Sequence, residues 1–231
     1  MEISSYIGRR YFGIPESSFA YLFFFDFTSY IERKNPWGVL QAFERLCLQP
    51  KKQDVCLVIK LNGSASRMDE FRKFISGVEG CKVKERIVII DKTLTNNEIN
   101  NLIRCCDCFI SLHRSEGFGR GMAEAMYLGK PVIATGYSGN MDFMSAENSC
   151  LVDFKLVPVG DGQYPYGRGQ VWAEPDIDHA VWYMHKLVTD YDYGMKRGAI
   201  GSRQIRQFFS YRAIGIRYQS LIENIMTSQK L

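Results

Sequence analysis

Residues 107–135 read DCFISLHRSEGFGRGMAEAMYLGKPVIAT, and this stretch decides the fold. Its first part, residues 107–112, is an apolar run typical of a buried strand. A glycine-rich turn follows, and residues 119–128 then show the apolar spacing of a helix that Gly129 ends. A second apolar run, residues 131–135, completes the unit. A strand, a helix and a strand in close succession predict two parallel strands joined by a crossover helix.

The same alternation extends in both directions along the chain. Four more strands are predicted from apolar runs at residues 19–27, 55–61, 86–90 and 149–153. Amphipathic stretches predict helices that begin at Asn35-Pro36, at Met68 and after Thr95, where Thr95 and Glu98 form a capping box. Strands that alternate with helices indicate a parallel sheet covered on both faces. We therefore predict an α/β fold, a doubly wound, Rossmann-like parallel sheet, with its ligand at the carboxyl ends of the strands.

The last third of the chain is predicted to be less regular. Residues 157–169 are polar and rich in glycine, proline and tyrosine, which predicts a loop. Pro175-Asp176 starts a helix that runs to about Val188. Residues 191–226 have a helical pattern with many arginine, glutamine and tyrosine residues.

Length and composition are those of an ordinary globular protein. The chain has 231 residues, of which 46% are hydrophobic and 23% are charged, and this excludes a disordered, collagen-like or coiled-coil chain. No apolar run reaches the roughly 18–20 residues of a membrane-spanning helix. We predict one domain over residues 1–231, with a core over about 19–190 and C-terminal helices over 191–231.

Charge and cysteine content narrow the function and the compartment. The net charge of +4 suits an anionic ligand, but it is far from the strongly basic face of a nucleic-acid-binding protein. Seven cysteines, an odd number, do not indicate a disulfide framework in a chain of this size, so we predict a reducing, cytoplasmic setting. The run Cys105-Cys106-Asp107-Cys108 lacks the paired CxxC spacing of a zinc site and favours core packing.

The turn before the helix carries the most informative chemistry. Gly117, Gly119 and Gly121 allow backbone N–H groups to approach a ligand closely, and the start of a helix favours negative charge. The pattern is neither a dinucleotide-binding GxGxxG nor a phosphate-binding GxxxxGK[ST]. Glu116 and Glu124 flank the turn, and each carboxylate can accept hydrogen bonds from two hydroxyls, as in a sugar and a ribose. Spacing alone leaves open an alternative, a carboxylate that offsets the helix dipole and a solvated loop glutamate.

Residues 116–135, EGFGRGMAEAMYLGKPVIAT, resemble the signature of the GT-B retaining glycosyltransferases of family 4, group 1. That signature is a glutamate, seven further residues, a second glutamate, Ala-Met or Ala-Leu, and then Gly-x-Pro-Val-Ile-Ala-Thr. With the order of strands and helices, the resemblance extends over residues 19–153. It implies that the chain is the C-terminal, nucleotide-sugar-binding half of a two-domain GT-B architecture.

The resemblance assigns roles to the residues of the turn. Glu116 would hold hydroxyls of the donor sugar and is the candidate catalytic residue. Backbone groups of Gly117, Phe118 and Gly119 would contact the sugar and the diphosphate. Glu124 would hold the ribose hydroxyls. The expected donor substrate is therefore a nucleotide-diphosphate sugar, and the resemblance implies neither a cofactor nor a metal.

The family also places an arginine, followed by a lysine, on the diphosphate. Lys34 fits the lysine, whereas the arginine position holds Thr28 or Ser29. Arg33 is a candidate to replace the missing arginine, because a phosphate is held less well without a bidentate guanidinium. The alternative is a solvated basic pair at a helix start, although two cations there oppose the helix dipole.

Three more polar side chains are candidates for donor binding because they follow predicted strands. Lys60, at the end of the second strand, suits an anion contact or snorkels to the rim of the site. Arg114 could reach phosphate and His113 a sugar hydroxyl, although a histidine in such a loop is more often structural. Residues 135–140 contain two glycines and predict a second loop that faces the donor phosphates, or else an ordinary turn.

Two Rossmann-like domains face each other in enzymes of this kind, and the N-terminal one carries the acceptor site. The chain begins almost directly at the first strand of the C-terminal domain, so the acceptor-binding domain is expected to be absent. We predict a fragment that binds the donor and has little activity alone. The full enzyme would transfer the sugar, with retention, to a glycan or a lipid-linked acceptor in polysaccharide biosynthesis. Peripheral contact of the full enzyme with a membrane stays open.

Two other functions also stay open. One is a different enzyme on the same scaffold, a nucleotide-sugar epimerase or a glycan phosphorylase; the latter needs a cofactor lysine, and no lysine stands out for that role. The other is a non-catalytic module for nucleotide-sugar binding or assembly, in which the site has decayed. The missing arginine favours this module, and the presence of both Glu116 and Glu124 argues against it.

Overall fold

The computed structural model describes residues 3–51 and 53–228, so residues 1–2, 52 and 229–231 of the predicted domain lie outside the described range. Six parallel strands form one sheet in the order β3-β2-β1-β4-β5-β6. This order confirms the predicted doubly wound, Rossmann-like α/β fold. The strands are β1 (Phe19–Asp26), β2 (Val55–Asn62), β3 (Ile87–Ile90), β4 (Cys108–Ser111), β5 (Val132–Thr135) and β6 (Cys150–Val152).

Helices cover both faces of this sheet. The predicted capping box is present, since Thr95 accepts from the Glu98 N–H at 3.2 Å and the Glu98 carboxylate accepts from the Thr95 N–H at 2.7 Å. The helices are α1 (Ile31–Lys34), α2 (Pro36–Cys47), α3 (Met68–Glu79), α4 (Asn96–Cys105), α5 (Arg120–Tyr127), α6 (Ile177–Thr189), α7 (Tyr191–Phe208) and α8 (Tyr211–Ser228).

The side chains of β1 alternate between two hydrophobic cores. Tyr21, Phe23 and Phe25 lie in the core that β1 shares with α2, α3 and α6. Ala20 and Leu22 lie in the opposite core, with α4, α5 and α7. Because successive residues of a strand point to opposite faces, a strand buried on both sides is apolar throughout. Strand β1 is therefore packed on both faces, and its carboxyl end holds the residues that follow it in a defined position.

The strand order reverses between β1 and β4. The chain builds the sheet outward from β1 to β3 and then returns to place β4 on the other side of β1. The segments that leave the carboxyl ends of β1 and β4 therefore diverge and open a crevice. They meet at its edge, where the backbone N–H of Arg114 donates to the carbonyl oxygen of Arg33 at 2.8 Å.

The loop predicted over residues 157–169 belongs in part to an antiparallel hairpin, in which β7 (Phe154–Pro158) pairs with β8 (Val171–Pro175). Both strands are short and β7 is largely exposed, so the pair lacks the continuous apolar runs that identify the sheet strands. Asp176, at the predicted start of a helix, is the N-cap of α6 and accepts from the His179 N–H at 3.0 Å.

The C-terminal helical stretch consists of α7 and α8. Helix α7 packs closely on the turn after α5, because a Cβ on Gly198 would overlap the carbonyl oxygen of Gly129. Helix α8 leaves Ile216, Leu221 and Ile225 largely exposed. Over the described part of the chain, no helix combines the length and the apolar character that crossing a bilayer requires.

Candidate functional site

A cleft of about 430 Å³ opens at the carboxyl ends of β1 and β4. Among the predicted site residues, Lys34, Glu116, Phe118, Gly119 and Glu124 line it. The rest of the lining comes from β1 and the segment that follows it, from β2 and β4, and from the start of α5. These residues are Phe24, Phe25, Asp26, Ser29, Asn62, Phe109, Ser111, Arg120, Gly121 and Met122.

Glu116 is held in the cleft by two cations from α1. Its carboxylate accepts from Lys34 Nζ at 2.5 Å and from Arg33 Nη1 at 3.2 Å, and its side chain is only 11% exposed. Burial raises the pKa of Glu116, but the charges of Lys34 and, less strongly, Arg33 lower it, and the pKa ends below its usual value. The carboxylate is therefore ionised at neutral pH and can accept hydrogen bonds from hydroxyl groups.

Arg33 does not line the cleft, and its side chain joins two loops. Its Nε donates to the carbonyl oxygen of Ser29 at 3.2 Å, and its Nη1 donates to the carbonyl oxygen of Ser115 at 2.8 Å, in addition to the Glu116 carboxylate. These contacts tie the loop after β1 to the turn after β4. The structure thus places Arg33 behind Glu116 and not among the residues that line the cleft.

The loop after β5 supports the same turn from the other side. The backbone N–H of Glu116 donates to Ser138 Oγ at 2.8 Å, and the backbone N–H of Gly139 donates to the carbonyl oxygen of Glu116 at 3.0 Å. A Cβ on Gly139 would overlap the carbonyl group of Gly117. The close approach expected of residues 135–140 is therefore made to the glycine-rich turn.

The glycines of the turn meet different requirements. Gly119 has a φ of 91° and is the N-cap of α5, a conformation that side-chain-bearing residues rarely adopt. A Cβ on Gly121 would lie 2.9 Å from Cζ of Phe109, so Gly121 allows α5 to pack on β4. A Cβ on Gly117 would meet nothing within 4 Å, and the space beside this residue is open.

Glu124 lies one turn into α5 and lines the cleft. Burial raises the pKa of Glu124, and Arg120 partly opposes this effect. The Arg120 guanidinium is 3.5 Å away, at the preceding helical turn. Glu116 and Glu124 therefore border one cleft but differ in their ion pairs. Glu116 is paired closely with two cations, whereas Glu124 has one longer contact, with Arg120.

His113 is completely buried and does not line the cleft. Its Nε2 lies 3.2 Å from the Tyr137 carbonyl oxygen and 3.0 Å from Asn140 Oδ1, and its Nδ1 lies 3.1 Å from Ser111 Oγ. Because carbonyl oxygens only accept, Nε2 carries the proton and Nδ1 of the neutral ring accepts from Ser111. Burial lowers the pKa of His113, which favours this neutral form. The ring joins the end of β4 to the loop after β5.

Arg114 and Lys60 do not line the cleft either. Arg114 donates to the Glu174 carboxylate at 2.6 Å and to the carbonyl oxygen of Glu32 at 2.8 Å, so it fastens the hairpin to α1. Lys60 is 2% exposed and donates to the carbonyl oxygen of Leu61 and to Asn62 Oδ1. Burial lowers the pKa of Lys60.

Arg120 and Asn62 are among the lining residues that the predicted site set did not include. Asn62 follows the predicted end of a strand and carries no distinctive signal. Arg120 lies inside the quoted signature, and its signal is a cation at the first position of a helix, where the helix dipole disfavours positive charge.

The site combines three kinds of group. Two carboxylates, Glu116 and Glu124, can accept hydrogen bonds from hydroxyls at two points of one cleft. Lys34 and Arg120 add positive charge to the same lining, Lys34 beside Glu116 and Arg120 beside Glu124. Gly119 also lines the cleft, and Gly117, which does not, has open space beside it. The arrangement suits a molecule that carries both hydroxyl groups and negative charge.

Comparisons with solved structures give the same fold. HepE from Anabaena, solved in complex with UDP and glucose, aligns with a TM-score of 0.71 at 16% identity over 93% of this chain and 50% of that chain. Sucrose-phosphate synthase from Thermosynechococcus elongatus aligns with a TM-score of 0.73 at 17% identity over 95% of this chain and 48% of that chain. The chain thus spans about half the length of these two proteins.

A third structure matches at domain scale. The C-terminal domain of the group 1 glycosyl transferase LpcC from Francisella tularensis aligns with a TM-score of 0.65 at 18% identity, over 86% of this chain and 89% of that chain. A search of curated proteins found no significant match. The family described as glycosyl transferases group 1 matches residues 21–197. Because that match spans more than half of the chain, the chain belongs to the group 1 glycosyltransferases, and its fold is that of the C-terminal half of a GT-B enzyme.

Proposed function

We propose that this chain is the donor-binding domain of a family 4 glycosyltransferase and binds a nucleotide-diphosphate sugar in the cleft between β1 and β4. One observation carries the proposal: Glu116 and Glu124 border the same cleft at the point where the strand order reverses, and the cations Lys34 and Arg120 line that cleft with them. A sugar and a ribose joined by a diphosphate have the matching sequence of hydroxyls, negative charges and hydroxyls.

In this proposal the donor sugar lies at Glu116 and the ribose at Glu124. The ionised Glu116 accepts from sugar hydroxyls, while the backbone of Gly117, Phe118 and Gly119 contacts the sugar and the diphosphate. Lys34 Nζ lies 2.5 Å from Glu116 Oε1. Because Lys34 lines the cleft, its ammonium group can turn toward a phosphate of the donor. When the bond to the sugar breaks, positive charge near the diphosphate stabilises the leaving group.

The remaining candidates act by positioning. Arg33 holds the turn that carries Glu116, and His113 holds the loop that supports this turn. Arg114 anchors α1, which carries Lys34. Lys60 places the side chain of Asn62, which lines the cleft. None of the four needs to touch the donor in order to matter for its binding.

The complete reaction needs a second domain that binds the acceptor. We propose transfer of a sugar with retention of its anomeric configuration to a glycan or a lipid-linked acceptor, without a metal and in the cytoplasm, as part of polysaccharide biosynthesis. Half-length coverage of HepE and sucrose-phosphate synthase supports a missing partner domain. Peripheral contact of the complete enzyme with a membrane belongs to the same proposal.

Isothermal titration calorimetry of the 231-residue chain tests donor binding. The ligands are UDP, GDP, ADP and dTDP and their glucose conjugates, and UDP comes first because HepE was solved with UDP. We expect one nucleotide to bind and Glu124→Ala to weaken it by more than about tenfold. The matched control is Glu79→Ala, an exposed helical glutamate that does not line the cleft. Absence of binding for all eight ligands would contradict the proposal.

A second assay separates the catalytic alternatives. If the chain is an epimerase, it consumes a nucleotide sugar without an acceptor, and NMR of the incubated sugar reveals the new stereoisomer. We expect no consumption without an acceptor. A non-catalytic module would bind the nucleotide but stay inactive when the acceptor-binding domain is supplied. The one feature in favour of such a module is the absence of a cation at Thr28 and Ser29.

A further inference from the structure

The basic side chains around the cleft differ in how many polar contacts they already make within the protein. Arg33, Lys34 and Arg114 each contact a carboxylate, and Lys60 contacts a carbonyl and an amide oxygen. These four side chains are mostly buried, and three of them do not line the cleft. Lys34 does line it, but Glu116 already balances its charge. The donor diphosphate, with one negative charge on each phosphate, therefore meets little free positive charge from these four residues.

Arg120 differs from all four. It lines the cleft, and its side chain is 89% exposed. Its charged contact is the Glu124 carboxylate at 3.5 Å, a pair along one helix. Ion pairs between residues one turn apart on a helix contribute little to stability, and the Arg120 end of this pair is solvated. The Arg120 guanidinium can therefore leave Glu124 at small cost.

The opposite wall of the cleft offers no substitute. The positions at which the family resemblance expects an arginine hold Thr28 and Ser29, and Thr28 Oγ1 donates to Asp26 Oδ1 at 2.6 Å. Asp26 itself lines the cleft and adds negative charge on that side. A guanidinium that serves the diphosphate must therefore come from the α5 side.

We propose that Arg120 is a phosphate-binding residue that leaves Glu124 and forms a bidentate contact with the donor diphosphate, opposite Lys34. When Arg120 moves from Glu124 to the diphosphate, the Glu124 carboxylate becomes free to accept hydrogen bonds from the ribose hydroxyls. A planar guanidinium matches two phosphate oxygens, which a lysine at this position does not. This inference rests on the proposed donor-binding function.

Calorimetry with ligands that differ only in phosphate tests the inference. The wild-type chain, Arg120→Gln and Arg120→Lys are titrated with UDP, or with whichever nucleoside diphosphate binds, and with the corresponding nucleoside. We expect Arg120→Gln to weaken diphosphate binding by about tenfold or more and to leave nucleoside binding unchanged. Arg120→Lys should fall between the two. Arg72→Gln, an exposed helical arginine with a comparable pair to Asp69 at 3.6 Å, should change neither affinity.

The outcomes separate this inference from the proposed function. Equal diphosphate affinity in the wild-type chain and Arg120→Gln overturns the role of Arg120 and leaves the donor-binding domain intact. An equal loss for nucleoside and diphosphate also overturns it, because Arg120 then acts only through Glu124. A wild-type chain that binds none of the nucleoside diphosphates overturns both proposals. Circular dichroism of each variant verifies that the fold is unchanged.

Discussion

The backbone N–H of Gly139 donates to the carbonyl oxygen of Glu116 at 3.0 Å, so the loop after β5 lies directly against the turn that carries the candidate catalytic carboxylate. A side chain does not fit at this position, because a Cβ would overlap the Gly117 carbonyl group and lie 2.9 Å from the Glu116 carbonyl oxygen. Glu116 also donates its N–H to Ser138 Oγ. The place of Glu116 in the cleft thus depends on a glycine that does not line the cleft.

Gly139→Ala is therefore expected to displace the turn. We expect weaker donor binding by at least about tenfold, and a free energy of unfolding lower by about 1–3 kcal/mol because the added methyl group overpacks the contact. Calorimetry with the donor nucleotide and urea denaturation measure the two effects. The control is Gly136→Ala in the same loop, where the nearest atoms to a Cβ, in Leu151 and Val152, lie 3.5 Å away. Normal binding by Gly139→Ala would contradict the supporting role of the loop.

Glu124→Gln is expected to increase stability while it reduces binding. Burial raises the pKa of Glu124 in the folded chain, so ionisation of this group destabilises the fold as pH rises through that pKa. At pH 7 the neutral amide avoids this cost, and we expect a gain of about 0.5–1 kcal/mol in unfolding free energy. Donor binding should fall, because the ribose hydroxyls lose a charged acceptor.

Measurement of both quantities on one preparation decides the role of Glu124. Urea denaturation gives the stability and calorimetry gives the affinity. A loss of both would indicate a structural carboxylate. At pH 4.5 the stability advantage of Glu124→Gln should shrink, since the raised pKa leaves more of the wild-type carboxyl groups protonated than ionised at that pH.

Lys34 and Glu116 should be strongly coupled in stability. Their charged atoms lie 2.5 Å apart and both side chains are mostly buried, so removal of one partner leaves the other without full compensation. We expect Lys34→Gln to cost about 2 kcal/mol, and the double variant Lys34→Gln/Glu116→Gln to cost less than the sum of the two single changes. Urea denaturation of the four chains measures the coupling. If the losses of the two single variants add up to that of the double variant, Lys34 does not stabilise Glu116, and Arg33 alone balances its charge.

The pH dependence of the same pair has a defined sign. The pKa of Glu116 is depressed in the folded chain, so its contribution to stability is present above pH 4.5, the usual value, and is lost as pH falls through the folded pKa. Glu116→Gln should therefore lose less stability than the wild-type chain between pH 5 and pH 3. Thermal unfolding at half-unit steps of pH compares the two.

Much of this fold could be predicted from the sequence, because burial on both faces makes each strand a continuous apolar run. The strand β2 was predicted within one residue, and all of its residues except Asn62 are buried. The hairpin β7–β8 could not be predicted in this way, since β7 is exposed along most of its length and its pairing with β8 depends on tertiary contact. The four-residue helix α1 is too short to display a helical period.

The candidate site could be predicted only in part. The two glutamates and the glycine-rich turn lie close together in the chain, and the structure brings Glu116 and Glu124 to one cleft. His113 and Arg114 form hydrogen bonds with Asn140 and Glu174, which lie far away in the sequence. No local sequence pattern predicts such contacts. The sequence therefore does not distinguish basic side chains that line the cleft from those that only stabilise the loops around it.

His113 should make stability depend on pH between 8 and 5. Burial lowers the pKa of His113 below 6.5, so the unfolded chain binds a proton more readily and wild-type stability falls as pH drops through 6.5. We expect His113→Gln to be less stable by about 1–2 kcal/mol at pH 8, because contacts to Tyr137 and Asn140 are weakened. That difference should narrow toward pH 5. Ser111→Ala keeps the imidazole and should retain a slope in the same direction, made smaller by the loss of the hydrogen bond to Nδ1. A constant difference between the wild-type chain and His113→Gln in urea denaturation would rule out titration of this ring as its cause.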